Sequence, residues 1–377
     1  MFELTDEQKD IRQAAREFAE GEFTDIAAEH DEAETFPFAV WKKACESGFV
    51  GAFIEEKYEG AGFGMLEYAL MLEEFWRVDP GCGNMLFSAL GAEFIQDYGT
   101  EEQKRTYLAP LAKGEAMMGT VPAEDYVHDA FHYVKHGENK FVLNGLVRFV
   151  MNGTRANSFV VVARKQESDG KAKGKFSTFV IDKNLDGVKT KEFSDKLGVR
   201  ASAICSVDME NVTISSENLV GKEGHGLAQF DTFLDRLCIY NSAQAVGAAQ
   251  GCLERAVKYS RQRVQFGHPI GWFQQIQFKI GEMATRIEAA RNLYYKAADL
   301  FDRGKKDRRM ISMASWFSRE TSSMAAAETL QIHGGYGYMK EMDIERFYRD
   351  VQFLEFFGPY REREKIRVAA DLLGKLR

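Results

Sequence analysis

The chain has 377 residues, 45% of them hydrophobic, and a formal net charge of −8. This length allows two or three domains with cores of their own, and the composition is typical of a globular protein. The acidic balance, with a pI near 5.6, argues against a nucleic-acid-binding protein, which usually carries a basic face.

Membrane and export signals are not evident in the sequence. It has no run of about 18 apolar residues, so we predict no membrane span. The acidic start, Met1–Asp6, resembles neither a secretory signal nor a transit peptide. The five cysteines contain no C-x-x-C pair, which indicates reduced thiols. We therefore expect a cytoplasmic protein.

Residues 1–115 have the pattern of a helical domain. Thr5 with Gln8, and Thr100 with Gln103, form two capping boxes, in which a hydroxyl and an amide side chain satisfy the first free N–H groups of a helix. Between them, the glycine-rich residues 60–64 predict a loop.

The pattern changes near residue 116. Short apolar runs at residues 141–143, 159–163 and 176–181 are separated by turn residues, which is typical of β-strands. Because no helical pattern lies between them, we predict an antiparallel β-domain over residues 116–222.

Long helical patterns return at Gly226 and continue to the end of the chain. The predicted fold is therefore α+β and mostly α: an N-terminal helical domain, a middle β-domain, and a C-terminal four-helix bundle over residues 223–377. Two segments, Gln262–Ile270 and Gln331–Gly337, break these helices with glycine and proline. Such breaks in good helices indicate packing or ligand contacts.

Three motifs resemble those of the acyl-CoA dehydrogenase family of flavoproteins. They are the segment Gln262–Gln274, the segment Gln331–Gly337, and the spacing Arg346-x-x-Arg349-Asp350. Segments 196–202 and 217–221 are similar to the end of the family's β-domain. The resemblance covers nearly the whole chain, and the family's order of domains is the order that the patterns predict.

The resemblance implies an FAD site between the β-domain and the C-terminal domain. Arg263 would pair with the FAD pyrophosphate, because a guanidinium suits two phosphate oxygens. Glycines would let backbone approach the cofactor closely. The implied FAD contacts are Thr120, Phe149, Met151, Arg263, Phe266, Gln274, Gln331, Gly334 and Gly335. In the family some of these residues reach FAD in a neighbouring subunit, so a homotetramer is expected.

The catalytic base of the family is missing from both of its known positions. Family members remove the substrate α-proton with a glutamate, and the two positions correspond here to Gly358 and Leu237. Asp235 and Glu355 are the candidate replacements, together with segment 84–97, which lines the acyl pocket in the family. The implied substrate-lining positions are Leu237, Phe357, Gly358 and Tyr360.

Other positions near the flavin also differ. Phe149-Val150-Met151 stands where the family has Trp-Ile-Thr, and methionine has no hydroxyl to donate. His128, His132 and His136 recur every four residues, but the family places them on loop and strand, where this spacing makes no helical metal face. We predict no metal site; His128 or His132 is instead a candidate acid or base.

Three functions fit these observations. The first is an FAD-dependent oxidoreductase of acyl-CoA thioesters with a non-standard base, acting on a bulky or alicyclic acyl group. Its reaction would be α,β- or 1,4-dehydrogenation, or the reverse reduction of an enoyl-CoA. The second is a catalytically inactive structural subunit that partners an active paralogue. The third is a relative of the flavin monooxygenase type. Electron-transferring flavoprotein is the redox partner that the resemblance implies.

Overall fold

The computed structural model describes residues 3–120, 131–166 and 172–374. None of the helices in these ranges has the length and apolarity that crossing a bilayer requires.

The N-terminal part is helical, as predicted. Both capping boxes are confirmed: the Gln8 and Gln103 backbone N–H groups each donate to the preceding threonine hydroxyl at 3.2 Å. The helices are α1 Asp6–Phe23, α2 Ala27–Ala33, α3 Phe38–Glu46, α4 Met65–Val78, α5 Pro80–Gly83, α6 Ala92–Tyr98 and α7 Glu101–Ala112, with 3-10 turns at Glu56–Tyr58 and Asn84–Ala89.

The middle part is an eight-stranded sheet in the order β6-β7-β3-β2-β4-β5-β8, with β1 paired to β4. The strands are β1 Met118–Thr120, β2 Phe131–His136, β3 Lys140–Met151, β4 Ser158–Gln166, β5 Ala172–Asp182, β6 Val188–Glu192, β7 Ile204–Ser215 and β8 Leu219–Val220.

The prediction of a purely antiparallel sheet is wrong at β4. β4 pairs parallel with both β1 and β2. The reason lies at the start of β1: the Asn157 N–H donates to the Met117 carbonyl at 2.8 Å, and the Asn157 side chain accepts from the Met117 N–H at 2.9 Å. These two bonds start both strands side by side in the same direction.

The C-terminal part consists of long helices around a central one, α8. The helices are α8 Gly226–Gln262, α9 Gln274–Asp302, α10 Arg308–His333, α11 Ile344–Asp350, α12 Phe353–Phe356 and α13 Arg361–Leu373; a hairpin of β9 Val264–Gln265 and β10 His268–Pro269 follows α8. Helix α8 packs against α9, α10 and α4. At Gly247 a Cβ would lie only 2.1 Å from the Glu73 carbonyl oxygen, so α4 and α8 approach as closely as glycine permits. The predicted fold class is confirmed.

Helix α11 joins the three parts of the chain, and its residues are those of the Arg346-x-x-Arg349-Asp350 motif. The Arg346 guanidinium donates to Asp79 at 2.8 Å, and Arg349 binds both oxygens of Asp31 at 2.7 and 3.1 Å. The Asp350 carboxylate accepts from the Val199 N–H in the β-domain at 2.6 Å. We call these contacts the α11 joint. The domain limits 1–115, 116–222 and 223–377 stay a prediction; the first strand begins at Met118 and the last ends at Val220.

Candidate active site

One cavity lies where the two helix breaks meet. It measures about 390 Å³. The Arg263 guanidinium lies over the Tyr336 ring, 5.5 Å from its centroid, and no salt bridge joins Arg263 to a carboxylate of the described residues. Phe266 beside it is 90% exposed. The lining residues are Tyr259, Arg263, Gln265, Ile270, Ile332, His333, Gly334, Gly335, Tyr336 and Met339.

His333 forms the back of this cavity. Its Nδ1 lies 2.8 Å from the Thr329 carbonyl oxygen, which can only accept, so Nδ1 carries the proton. Its ring stacks on Tyr259 with the centroids 4.2 Å apart. Burial lowers the pKa of His333, which favours a neutral ring. The cavity therefore offers one unpaired cation and several aromatic faces, a combination suited to a phosphate with an attached aromatic base.

Replacing Arg263 with alanine is expected to weaken FAD binding by about 10- to 100-fold, because a charge-assisted hydrogen bond is worth roughly 1.5–3 kcal/mol. The measurement is the FAD content and dissociation constant of the purified protein. The control is Arg261→Ala, which removes an exposed arginine from the last turn of the same helix. Equal FAD affinity of the two variants would refute the role of Arg263.

A second cavity of about 190 Å³ lies between the β-domain and the C-terminal helices. The Phe149 ring is in its wall, and the ring centroid lies 5.4 Å from that of Phe193 and 5.7 Å from that of Phe356. Phe149 has a φ of 63°, a backbone conformation unusual for an aromatic residue. The other lining residues are Lys196, Leu197, Gly198, Val199, Ile204, Arg349, Gln352 and Phe353. This cavity shares no lining residue with the first.

Thr120 and Met151 are the last residues of two strands that lie against each other, β1 and β3. A Cβ on Gly119 would be 2.8 Å from the Met151 carbonyl oxygen, which places the two segments in contact. The Thr120 hydroxyl donates to the Val160 carbonyl at 2.9 Å, so its side chain is engaged within the sheet. The sequence-predicted cofactor residues thus form two groups: Arg263, Phe266, Gln274, Gln331, Gly334 and Gly335 near the helix breaks, and Thr120, Phe149 and Met151 near the sheet.

The two positions at which the family has its base converge in this structure. A Cβ on Gly358 would lie 3.9 Å from the Leu237 Cδ2 atom and 2.8 Å from the Asn241 Nδ2 atom. Asn241 follows Leu237 by one helical turn and donates from Nδ2 to the Phe357 carbonyl. Its Oδ1 atom is buried and has no hydrogen-bond partner among the described residues. A buried amide group therefore adjoins Gly358, one of the two positions at which the family has its carboxylate.

Neither of the two candidate bases lies free at this point. The Asp235 carboxylate binds the Arg308 guanidinium at 3.1 Å, and burial raises the pKa of Asp235. The Glu355 carboxylate binds Arg361 at 2.8 Å and accepts from the Ser323 hydroxyl at 3.3 Å. Both carboxylates are bound to cations on other helices, and their catalytic role stays a prediction.

The substrate-lining positions are divided between the core and the surface. Leu237, Phe357 and Gly358 are buried, and the Phe357 ring stacks on Phe87 with the centroids 5.5 Å apart. Tyr360 is 54% exposed. Phe87, in the 3-10 turn before α6, is a wall residue that the sequence analysis did not single out.

Glu93 lies within the candidate segment 84–97 but was not named individually, and Tyr240 was not predicted to be near the site. Both side chains are buried, at 2% and 1% exposure, and the charge of Glu93 contributes to raising the pKa of the nearby Tyr240 phenol, after burial itself. A signal was present in the sequence, since Glu93 is the one charged residue in the apolar segment 89–95.

The histidine run stays outside the site as described. His132 and His136 lie four residues apart on strand β2, so their positions fall on the same face of the strand. His128 lies outside the described residues. No group of three or more potential metal ligands occurs in residues 3–120, 131–166 and 172–374.

Comparison with known proteins accounts for the whole chain. Sequence profiles of the acyl-CoA dehydrogenase N-terminal, middle and C-terminal domains match residues 5–115, 129–212 and 224–373. An acyl-CoA dehydrogenase of Bacillus subtilis is 35% identical over 379 residues, covering 98% of this chain and 99% of the relative. A subunit of the caffeyl-CoA reductase-Etf complex of Acetobacterium woodii is 33% identical over 380 residues, covering 99% and 100%.

Solved structures agree with the profiles. The structure of butyryl-CoA dehydrogenase from Megasphaera elsdenii superposes with a TM-score of 0.93 at 32% identity and covers 99% of this chain and 100% of its own. The three matching profiles, the full-length relatives and the shared order of helical, sheet and helical parts establish that this chain belongs to the acyl-CoA dehydrogenase family.

Proposed function

We propose that this protein is an acyl-CoA oxidoreductase that transfers the substrate proton through a group other than the two glutamates used in its family. Family membership confirms the predicted flavoprotein class, the cofactor FAD and activity on acyl-CoA thioesters. The position of the base, the acyl group and the direction of reaction belong to the proposal.

The residues present fit FAD. Arg263, without a carboxylate partner in the described residues, suits the pyrophosphate, and the aromatic-lined second cavity suits a flat ring system. FAD, when bound, supplies the two-electron redox chemistry. The chain's own residues bind and orient the substrate, exclude water and move the proton.

The two separated groups of cofactor residues support an oligomer. Large apolar side chains around the helix breaks are unusually exposed: Val264 53%, Phe266 90%, Trp272 68%, Phe278 61%, Tyr338 84% and Met339 51%. Such a patch is typical of a protein interface. We propose that a second copy of this chain covers the patch and completes the FAD site, within a homotetramer.

The observation that carries the proposal is the convergence of Leu237, Asn241 and Gly358 without a carboxylate. A base at this point would remove the α-proton, and the side chains that meet here are the Asn241 amide and the apolar Leu237. The walls near this point are the Phe87 and Phe357 rings. We therefore propose a bulky or alicyclic acyl group whose reacting proton lies elsewhere.

Two further assignments follow as proposals. The relative in the caffeyl-CoA reductase-Etf complex supports electron-transferring flavoprotein as the redox partner and keeps enoyl-CoA reduction open as the working direction. All five cysteines are free thiols buried in the described structure, which supports a reducing compartment, and we propose the cytoplasm.

Bleaching of the flavin absorbance under anaerobic conditions tests the function. The FAD-loaded protein is mixed with butyryl-CoA, cyclohexanecarboxyl-CoA and cyclohex-1-ene-1-carboxyl-CoA. The dehydrogenation products of these thioesters are then tested for their ability to re-oxidise the reduced protein. We expect an alicyclic thioester to bleach the flavin faster than butyryl-CoA. A protein that binds FAD yet reacts with no thioester in either direction would contradict the proposal.

A further inference from the structure

A buried carboxyl group lies near the Phe87 wall of this site, and no salt bridge of the described residues joins it to a cation. Glu93 lies on helix α6, and its Oε2 atom accepts the Gly91 N–H at 2.8 Å. Its Oε1 atom is fully buried and has no hydrogen-bond partner among the described residues. A carboxyl oxygen left in this state loses its hydration without a compensating bond, at a cost to the stability of the fold.

The charges around Glu93 explain why it is unbalanced. Arg236 on α8 is the nearest cation, but both of its terminal nitrogens bind Asp97 at 2.9 and 3.0 Å. Asp97 follows Glu93 by one turn and adds a like charge. Tyr240 on α8 also lies beside Glu93, and the ring of Tyr68 on α4 packs against the Tyr240 ring with the centroids 5.0 Å apart. Burial, aided by Asp97 and opposed by Arg236 and the Gly91 N–H, raises the pKa of Glu93.

Contacts connect Glu93 to both sides of the site. Toward the sheet, a Cβ on Gly91 would lie 3.2 Å from the Thr120 Cβ, so the loop holding Glu93 touches a predicted flavin contact. Toward the substrate positions, the Tyr240 ring contacts Phe87 with the centroids 6.1 Å apart, and Phe87 stacks on Phe357. Glu93 thus lies beyond Phe87 as seen from Gly358.

We propose that the Glu93 carboxyl, with the Tyr240 phenol beside it, is the proton-transfer group of this enzyme and serves acyl-CoA thioesters that react beyond the α-carbon. This inference rests on the proposed function. Its position beyond Phe87 suits the γ-carbon of an α,β-unsaturated thioester, whose protons are acidified through the conjugated double bond. Tyr240 is a positioning residue that holds the carboxyl toward the acyl group.

In the forward direction the proton and the hydride leave from neighbouring carbons. The γ-proton goes to the Glu93 carboxylate, the electron pair of that C–H bond forms a γ,δ double bond, and a hydride leaves the δ-carbon for FAD. In the reverse direction Glu93 returns the proton to the γ-carbon. In neither direction does this reaction need a base at residue 358, which is one of the family's positions for it.

Exchange of substrate hydrogen with solvent tests the proposal. The FAD-loaded protein is incubated anaerobically in D₂O with cyclohex-1-ene-1-carboxyl-CoA, and deuterium in the thioester is followed by mass spectrometry. Glu93→Gln is expected to slow exchange and bleaching by about 100-fold or more, the usual contribution of a general base. The control Glu102→Gln changes an exposed glutamate of the next helix and should leave both rates unchanged.

Two more measurements separate a chemical role from a structural one. Because the carboxylate is the base, the bleaching rate should rise as the pH passes through the raised pKa of Glu93. This rise should vanish in Glu93→Gln. In Glu93→Asp it should persist, but at a shifted pH. Difference infrared spectra of wild type against Glu93→Gln, recorded over a range of pH, should show a carboxyl band that is lost with the same midpoint as the rise in bleaching rate, which is a readout independent of activity.

The outcomes distinguish the two proposals. Normal exchange in Glu93→Gln, or loss of exchange in Asp235→Asn or Glu355→Gln instead, overturns the assignment of Glu93 and leaves the proposed function standing. Failure of the wild-type protein with every thioester overturns both. If Glu93→Gln does not fold, the shifted pH limb of Glu93→Asp decides, and an unshifted limb counts against Glu93.

Discussion

Replacing Leu237 with glutamate is expected to raise the activity of this protein toward straight-chain acyl-CoA thioesters. Leu237 lies in regular helix, and its Cδ2 atom is 3.9 Å from the Cβ position of residue 358, so a carboxylate there reaches the point where the family places its base. The Asn241 Nδ2 group beside it can donate to that carboxylate. Bleaching by butyryl-CoA should become faster by about 100-fold or more.

Leu237→Gln is the matched control, because it has the same size and polarity without a base. Leu237 is fully buried, so both variants should lose roughly 2–5 kcal/mol of folding free energy. Their thermal denaturation midpoints should therefore fall together. Equal bleaching rates of the two variants would show that the convergence point is not where the α-proton lies.

Gly358→Glu is expected to fail where Leu237→Glu succeeds, although residue 358 is the more common base position of the family. Gly358 has a φ of 118°, a conformation that costs a residue with a side chain about 1–3 kcal/mol. Its Cβ would also lie 2.8 Å from the Asn241 Nδ2 atom, which is held by its bond to the Phe357 carbonyl. Activity of this variant with butyryl-CoA would show that the backbone at residue 358 accommodates a side chain, against this prediction.

Replacing Asp79 with alanine is expected to destabilise the protein by about 3–5 kcal/mol, because it leaves the buried Arg346 guanidinium without its partner. Asp79 also caps α5 by accepting the Cys82 N–H at 2.8 Å. Part of the loss is offset, because the charge of Asp79 no longer opposes the ionisation of Asp350, whose pKa is raised by burial and by that charge. The measurement is the free energy of unfolding in urea, with the denaturation followed by circular dichroism.

Glu210→Ala provides the comparison for Asp79→Ala. Glu210 forms an ion pair with Lys189 in which both side chains are more than 60% exposed, and exposed pairs contribute little. We expect a change within about 0.5 kcal/mol. If the two alanine variants were equally stable, the α11 joint would not couple the N-terminal and C-terminal parts of the chain.

The fold was predictable because its signals are local. A threonine followed three residues later by glutamine predicted the starts of α1 and α7, and the long helical patterns after Gly226 predicted that the C-terminal part consists of helices. The parallel pairing of β4 was not predictable, since it depends on Asn157 bonding Met117 across 40 residues. A strand's own residues do not specify its neighbour.

The site was predictable only in part, for a related reason. The helix breaks marked the residues around Arg263, and the motif alignment marked Gly358 and Leu237 as changed. That these two positions converge on Asn241 depends on the packing of α8 against residues 357–358. Glu93 was predicted only as part of the candidate segment 84–97, because a glutamate in a helix usually indicates a solvated face. Tyr240, which lies near it, is 147 positions away in the chain.

The buried cysteines have a practical consequence. Cys45 and Cys82 lie among the N-terminal helices, Cys205 in the sheet, and Cys238 and Cys252 in α8, and all are at most 6% exposed. Burial raises the pKa of Cys45, Cys205 and Cys252 to about 12, so almost no reactive thiolate is present at neutral pH. Alkylating reagents should therefore react only as each layer opens, and peptide mapping of the labelled thiols would record the order in which the molecule comes apart.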